Sequence, residues 1–169
     1  NESVQEKFKH EYLEWLLDNL WNEKQQEKIP LHVNGYINFM TDKVNDNLML
    51  MFYNTLSELT MLDIDTLRMY SYESEEDIFS LCERYGLEPE QTRVIKEKLV
   101  RLGLLQNRND LRRDQNIDEI AEYLEKVDRD HRKKSPSGVK FPTGIKKVSH
   151  VDTYVITGLG RGFLKSISE

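Results

Sequence analysis

Three residues, Gly86, Pro89 and Gly103, fix helix boundaries in the middle of this 169-residue chain. A glycine readily adopts the left-handed conformation that ends a helix, whereas proline fits only into a helix's first turn. Around these positions apolar residues recur every three or four residues, which is the period of one helix face. Residues 63–103 therefore predict three short helices joined by tight turns, the arrangement of a helix-turn-helix element.

Capping residues predict where the first two of these helices begin. Asp63 precedes the periodic residues of the first helix and is a suitable N-cap. Ser74, followed three residues later by Asp77, has the form of a capping box for the second. The third helix opens near Pro89, and residues 104–107 after Gly103 are typical of a short strand.

A second strand and a last helix are predicted near the end of the chain. Residues 153–157 are rich in β-branched and aromatic side chains that alternate, as in a strand. Thr157 is then expected to cap a helix over residues 159–167, which buries Leu159, Phe163 and Ile167 on one face.

The N-terminal residues predict helices with a wide apolar surface. Residues 4–23 contain no Pro or Gly, and their apolar arc exceeds half the helix circumference. Either the rest of the chain or a second copy should cover that arc, which includes Trp15 and Trp21. Pro30 is expected to end this region and Gly35 to break the next, ahead of helices over residues 36–41 and 46–60.

The residues between the two strands predict an inserted helix and a basic loop. Residues 116–132 have apolar side chains on one helix face, with Asn116 or Asp118 as the cap. Residues 129–147 contain seven Lys or Arg against one Asp. This loop is either a solvated connector or a segment that attracts an anionic polymer.

Two separated motifs resemble the winged helix-turn-helix superfamily. They are VRLGLLQN at 100–107, where a recognition helix runs into the wing, and YVITGLGRGFLKSI at 154–167, the return strand and helix. The resemblance covers about residues 57–108 and 150–169. It departs from a compact wing, because about 40 residues separate the two strands. The order of elements is also similar to winged-helix halves of uncharacterised bacterial proteins, which implies a fold and no activity.

These observations predict a mainly α (α+β) protein. Its N-terminal helical region, residues 1–56, is expected to pack on a winged-helix domain over residues 57–169 and to offer a dimer interface. The domain should contain a small antiparallel sheet and the helical insertion 109–149.

The chain offers no constellation for catalysis or for a metal ion. His10, His32, His131 and His150 lack the spacing of metal ligands, and the single cysteine, Cys82, lies on an apolar helix face. The glycines at 158–162 lack the following βαβ unit that a dinucleotide site needs. We therefore expect no enzyme and no cofactor.

Composition argues against a membrane protein and indicates a reducing compartment. No run of apolar residues approaches the length of a membrane span. No charged-then-apolar leader is present, and one cysteine cannot form an internal disulfide, so we expect a cytoplasmic location.

The winged-helix resemblance implies first a regulator of transcription that binds duplex DNA. The residues expected to reach bases or phosphates are Thr92, Arg93, Lys96 and Arg101 on the third helix and Lys146 and Lys147 in the basic loop. Glu90 and Glu97 on the same helix face, and a pI of about 5.4, argue against it. The alternative is a non-catalytic module that binds another protein, and a homodimer is compatible with both functions.

Overall fold

The computed structural model describes residues 2–41, 46–71 and 77–168, with side chains for residues 10–41, 47–71 and 77–168. The protein is mainly helical, with a small two-stranded antiparallel sheet. In chain order the helices and strands are α1 (Glu2–Asn22), α2 (Ile29–Thr41), α3 (Asp46–Glu58), α4 (Met61–Arg68), α5 (Ile78–Tyr85), α6 (Thr92–Arg101), β1 (Leu105–Asn107), α7 (Arg108–His131), β2 (Tyr154–Ile156) and α8 (Gly158–Ile167).

The chain divides into two compact units. Unit 1 consists of Asn1–Leu105 and Ile156–Glu169, and unit 2 is the intervening Gln106–Val155. The predicted insertion, residues 109–149, lies inside unit 2, whereas α4, α5 and α6 belong to the same unit as the N-terminal helices.

In unit 1, α2 is the central element, because it packs against α1, α3 and α8. The prediction that Gly35 breaks this part of the chain is wrong, since α2 begins at Ile29 and passes through it. Pro30 occupies the first turn, where its missing N–H is not needed. Gly35 is buried beside α8, where a Cβ atom would lie in ordinary van der Waals contact with the Ser166 carbonyl oxygen, at 3.9 Å.

Aromatic rings fill the core between these helices. Tyr53 lies at the centre, with its ring centroid 5.7 Å from that of Trp15 and 5.8 Å from that of Phe39. Phe52 contacts Phe163 of α8 edge to face, at 6.0 Å. Because the half-buried Trp15 packs against α3, part of the α1 apolar arc belongs to the protein's own core.

The three short helices α4, α5 and α6 form a second cluster in unit 1. α4 packs against both α5 and α6, and Leu67, Leu81 and Leu99 are fully buried. Gly86 and Gly103 follow α5 and α6 with φ of 63° and 73°, as their predicted C-cap role requires.

The caps of α4 and α5 differ from the prediction. α4 begins at Met61, because Thr60 rather than Asp63 is the N-cap, and Asp63 completes a reciprocal capping box with it. Asp77 caps α5 by accepting a hydrogen bond of 2.9 Å from the Ser80 backbone N–H. Ser74 lies outside the described residues.

The two strands pair in antiparallel register. Two backbone hydrogen bonds flank the pairing, from the Thr157 N–H to the Leu104 carbonyl at 3.0 Å and from the Arg108 N–H to the Thr153 carbonyl at 2.8 Å. After β2, the Thr157 hydroxyl accepts a hydrogen bond of 2.9 Å from the Gly160 N–H and so caps α8, as predicted.

Unit 2 consists mainly of α7 and a return segment, residues 132–153. α7 begins at Arg108, directly after β1, so the prediction of a helix starting at Asn116 or Asp118 is wrong. The cap is Asn107, whose side-chain oxygen accepts a hydrogen bond of 2.9 Å from the Asn109 N–H. The return segment has no regular secondary structure.

Candidate functional site

Thr92 does not lie on the outward face of α6. Its side chain is buried, with 1% exposure, and its hydroxyl donates a hydrogen bond of 2.6 Å to the Pro89 carbonyl. This bond joins the turn at Pro89–Gln91 to the first residue of α6, so Thr92 stabilises the start of the helix and offers nothing to a partner.

Both arginines of the predicted site form ion pairs with nearby glutamates. Arg93 Nε lies 2.8 Å from Glu97 Oε1, one helical turn away, and Arg101 Nη2 lies 3.0 Å from Glu58 Oε1 at the end of α3. All four side chains are exposed, so each pair adds little stability. Their effect is electrostatic, because they balance the charge of the α6 surface.

Lys98 is a further cation on α6, and its role is structural. Its Nζ donates to Asp63 Oδ2 at 2.7 Å and to the Glu58 carbonyl at 2.9 Å. The Asp63 carboxylate is buried and also takes part in the capping box of α4. Lys98 therefore ties α6 to the beginning of α4, a contact that the sequence did not reveal.

Lys96 is half-buried on α6. Burial lowers the pKa of its ammonium group, since desolvation disfavours the charged form, while Cys82 nearby acts in the opposite direction. Val94, two residues earlier, is 70% exposed. The outward side of α6 thus presents paired charges and an exposed apolar residue.

Lys146 and Lys147 belong to unit 2, in the return segment. The backbone N–H of Lys146 donates to Asn116 Oδ1 at 2.7 Å, and its carbonyl accepts from Asn116 Nδ2 at 2.8 Å. The Lys146 ammonium group donates to Gln115 Oε1 at 2.6 Å, and Lys147 is exposed. The structure thus places four predicted site residues on α6 and two in the return segment.

The return segment is fastened to α7 at seven-residue intervals. Asn109 Nδ2 donates to the carbonyls of Ser149 and Val151, each at 3.1 Å. Asn116 follows with the two bonds to Lys146, and Tyr123 then contacts Phe141 with ring centroids 5.4 Å apart. Seven residues are nearly two helical turns, so these contacts lie along one face of α7.

Asp130 provides the last of these contacts. Its carboxylate accepts hydrogen bonds from Lys133 Nζ at 2.9 Å and from the backbone N–H groups of Ser137 and Gly138 at 3.0 and 2.8 Å. The Lys133 bond, and then the two backbone bonds, lower the pKa of Asp130 to about 2. Asparagine is uncommon inside helices, so Asn116 carried a signal of this role.

Polar contacts also surround a shallow cavity of about 470 Å³ in unit 2. Tyr123 and Phe141 line it together with charged residues, among them Glu119, Lys126 and Lys140. Lys126 Nζ is paired with Glu122 at 2.9 Å. The mixture of both charge signs around an open depression gives no preference for one ligand.

The most exposed apolar side chains of unit 1 include a stripe along α1. Leu13, Leu17 and Trp21 are four residues apart, and their exposed fractions are 40, 57 and 89%. Exposed carboxylates lie beside the stripe on the same helix, at Glu11, Glu14 and Asp18. These six residues are called the α1 surface below.

A buried charged cluster lies where α1 is joined to α2. Glu23 Oε2 is 2.6 Å from Lys28 Nζ and 3.2 Å from His32 Nε2. Burial opposes ionisation of Glu23, but its hydrogen bonds from Lys28, Gln25 and His32 outweigh burial and lower its pKa to about 2. His32 is inaccessible to a substrate, so the cluster is suited to stabilising the fold and not to catalysis.

Within the described residues, no three His, Cys, Asp or Glu side chains come together as metal ligands. Cys82 is a buried free thiol. Among the helices of the described ranges, none is long and apolar enough to cross a membrane.

No family model matches the chain, and no curated protein or solved structure is significantly similar to it.

Proposed function

We propose that this protein is a non-catalytic module that binds another protein, with α4, α5, α6 and the strand pair as a winged-helix-like scaffold. The observation that carries the proposal is the contrast between two helix surfaces. α6 has a charge-balanced outer face, whereas α1 exposes a row of large apolar side chains that ends in Trp21.

The α6 surface gives little support to DNA reading by this helix. A reading helix directs unpaired basic and polar side chains to phosphates and base edges. Here Glu97 and Glu58 pair with Arg93 and Arg101, and Thr92 is buried. A phosphate that approached either arginine would also come close to Glu97 or Glu58, whose carboxylates repel it.

The α1 surface supports binding of a protein. Tryptophan is enriched among the residues that dominate binding energy, and an exposed apolar row bordered by charges is typical of an interface. Trp15, in contrast, packs against Tyr53 in the core. The two tryptophans of α1 therefore have different roles, one in folding and one available to a partner.

Site-specific photo-crosslinking tests this function. A photoreactive amino acid replaces Trp21 in the protein produced in its own host cells, and the matched control carries it at Val94, which is similarly exposed on α6. We expect a protein adduct of discrete mass from position 21 that disappears when Leu17→Glu is added. No adduct, or equal adducts from both positions, would contradict the proposal.

Duplex DNA is a second candidate partner, supported by the composition of the return segment. Residues 132–149 contain six Lys or Arg and no Asp or Glu. In this proposal Lys140, Lys146 and Lys147 contact phosphates, which provides affinity without base recognition. The residues on α6 then contribute less than the winged-helix resemblance predicts. Retention of duplex DNA at low salt tests it.

A further inference from the structure

We propose that the α1 surface binds a basic amphipathic helix of a partner protein. This inference rests on the proposed function and specifies the chemistry of the partner. Two observations on α1 support this inference: the exposed apolar stripe and the carboxylates beside it.

The apolar stripe has the dimensions of a helix-docking site. Leu13 and Trp21 lie at the two ends of the stripe, which is roughly 12 Å long at the rise of an α-helix. A partner helix with apolar residues at i, i+3 or i+4, and i+7 covers the same length. The stripe therefore fits about two turns of such a helix.

The helix that packs against α1 also exposes apolar residues. Ile29 and Ile37 of α2 are exposed, and Val33 between them is half-buried. Residues 29–41 contain no Asp, Glu, Lys or Arg. Charges from α2 consequently do not offset those of the α1 surface.

Between its two ends the stripe is bordered by charge of a single sign, and the exposed Lys24 lies three residues beyond Trp21. Residues 10–22 contain Glu11, Glu14 and Asp18 and no Lys or Arg. In the part of the chain with described side chains, these three carboxylates form no ion pair. A partner with Lys or Arg flanking its apolar face would supply the missing cations, so charge complementarity selects a basic helix.

The same charges disfavour two other occupants. In a symmetric dimer that pairs the two α1 helices antiparallel, the three carboxylates of one copy face those of the other. A membrane with anionic lipids also repels these three carboxylates. Both remain as outcomes of the experiment.

The experiment uses two synthetic peptides of about 18 residues, roughly 27 Å long as helices. Both have leucine at the same i, i+3, i+4 and i+7 positions; one has lysine at the flanking positions and the other glutamate. Fluorescence anisotropy of the labelled peptides measures binding to the whole protein. We expect the lysine peptide to bind at least about tenfold more tightly than the glutamate peptide, with the difference decreasing as salt is added.

Variants locate the binding site. Trp21→Ala should weaken binding of the lysine peptide by about tenfold or more, whereas Val94→Ala, at an exposed apolar residue of α6, should leave it unchanged. Glu14→Lys with Asp18→Lys should reverse the preference in favour of the glutamate peptide. Circular dichroism verifies that each variant is folded.

Several results would overturn the inference: equal binding of both peptides, no binding of either, or binding of the lysine peptide that Trp21→Ala does not weaken. A dimer by light scattering that Leu17→Glu dissociates would assign the surface to a second copy, and binding to phosphatidylcholine vesicles would assign it to a membrane. If the peptides fail but position 21 still forms its protein adduct, the proposed function stands without the basic helix.

Discussion

His32 is a buried histidine whose environment makes the stability of the fold depend on pH. Burial lowers its pKa from 6.5, because desolvation disfavours the imidazolium form, and the hydrogen bond with Glu23 only partly opposes this effect. Within the described part of the chain, His32 Nδ1 has no hydrogen-bond partner. The folded protein thus favours the neutral ring.

We predict that the protein loses stability as the pH falls below about 7. The unfolded chain takes up a proton on His32 near its ordinary pKa of 6.5, whereas the folded protein takes it up only at lower pH. The free energy of unfolding therefore decreases through this range, by at most about 1.4 kcal/mol per pH unit. Urea denaturation at a series of pH values measures the slope.

A His32→Gln variant is the matched comparison, because glutamine keeps a donor for Glu23 and does not titrate. Its slope between about pH 7 and 5 should be smaller than that of the wild type. A separate loss should remain in both proteins below pH 4.5, since Glu23, with a pKa of about 2, contributes stability only while it stays ionised in the folded state. Equal slopes above about pH 5 would contradict the role of His32.

At the scale of elements, Gly160 determines how closely α8 approaches the end of α6 and β1. A Cβ atom there would overlap the Leu104 carbonyl oxygen and lie 2.8 Å from Ile156 Cγ1. The Leu104 oxygen is fixed by the bond from Thr157, so it cannot move aside. Packing therefore requires glycine at position 160, because there is no room for a side chain.

We predict that Gly160→Ala destabilises the protein by about 2–3 kcal/mol, the usual cost of inserting a methyl group into a rigid site. Gly158→Ala is the control, because only the flexible end of Arg161 approaches that position, at 4.0 Å. It should stabilise the protein by about 0.5 kcal/mol by restricting the unfolded chain. Thermal unfolding followed by circular dichroism compares the two; similar effects would refute the packing argument.

The return segment is also an element whose stability can be tested. It is largely exposed and lacks regular structure over residues 135–143, so we predict that trypsin cuts first at Lys133, Lys134 or Lys140. Asp130→Ala removes the bonds to the backbone of residues 137 and 138 and should raise the cleavage rate at least about threefold. Asp128→Ala, which removes one exposed ion pair nearby, should not. First cleavage inside a helix is the result that this prediction forbids.

The sequence was sufficient to predict elements whose ends depend on local chemistry. Gly86 and Gly103 end helices through their positive φ, and Thr157 caps α8, because these effects involve only neighbouring residues. Two caps, Thr60 of α4 and Asn107 of α7, were missed although their contacts are local, whereas the failure at Gly35 depended on distant contacts. α2 continues through Gly35 because it packs against α1, α3 and α8, and no local pattern contains that information.

The candidate site shows the same limit. Helical periodicity placed Arg93 and Arg101 on the surface, and both are exposed. It could not identify Glu58 as a partner of Arg101, since 43 residues separate them and the contact depends on how α3 and α6 pack. Periodicity predicts which way a side chain points, but not the charge that it meets there.

At the scale of the whole molecule, the charge is distributed unevenly between the two units. Residues 106–155 hold eleven basic and nine acidic residues, and the rest of the chain holds thirteen basic and twenty-one acidic residues. Unit 1 should therefore repel an anionic polymer, and any attraction should come from unit 2.

This distribution predicts which lysines and arginines determine any affinity for DNA. Each phosphate contact contributes about 0.9 to the slope of log affinity against log salt concentration. Replacing Lys140, Lys146 and Lys147 by Ala should lower the slope by about 2.7, whereas replacing Arg93, Lys96 and Arg101 should change it by less than about 1, since Glu97 and Glu58 already pair with the two arginines. Fluorescence anisotropy of a labelled duplex between about 50 and 200 mM salt measures both. A larger change of slope for the α6 variants than for the return-segment variants would show that α6 contacts the DNA. If the protein binds no duplex even at the lowest salt, duplex DNA is excluded as a partner and the protein-binding function is left.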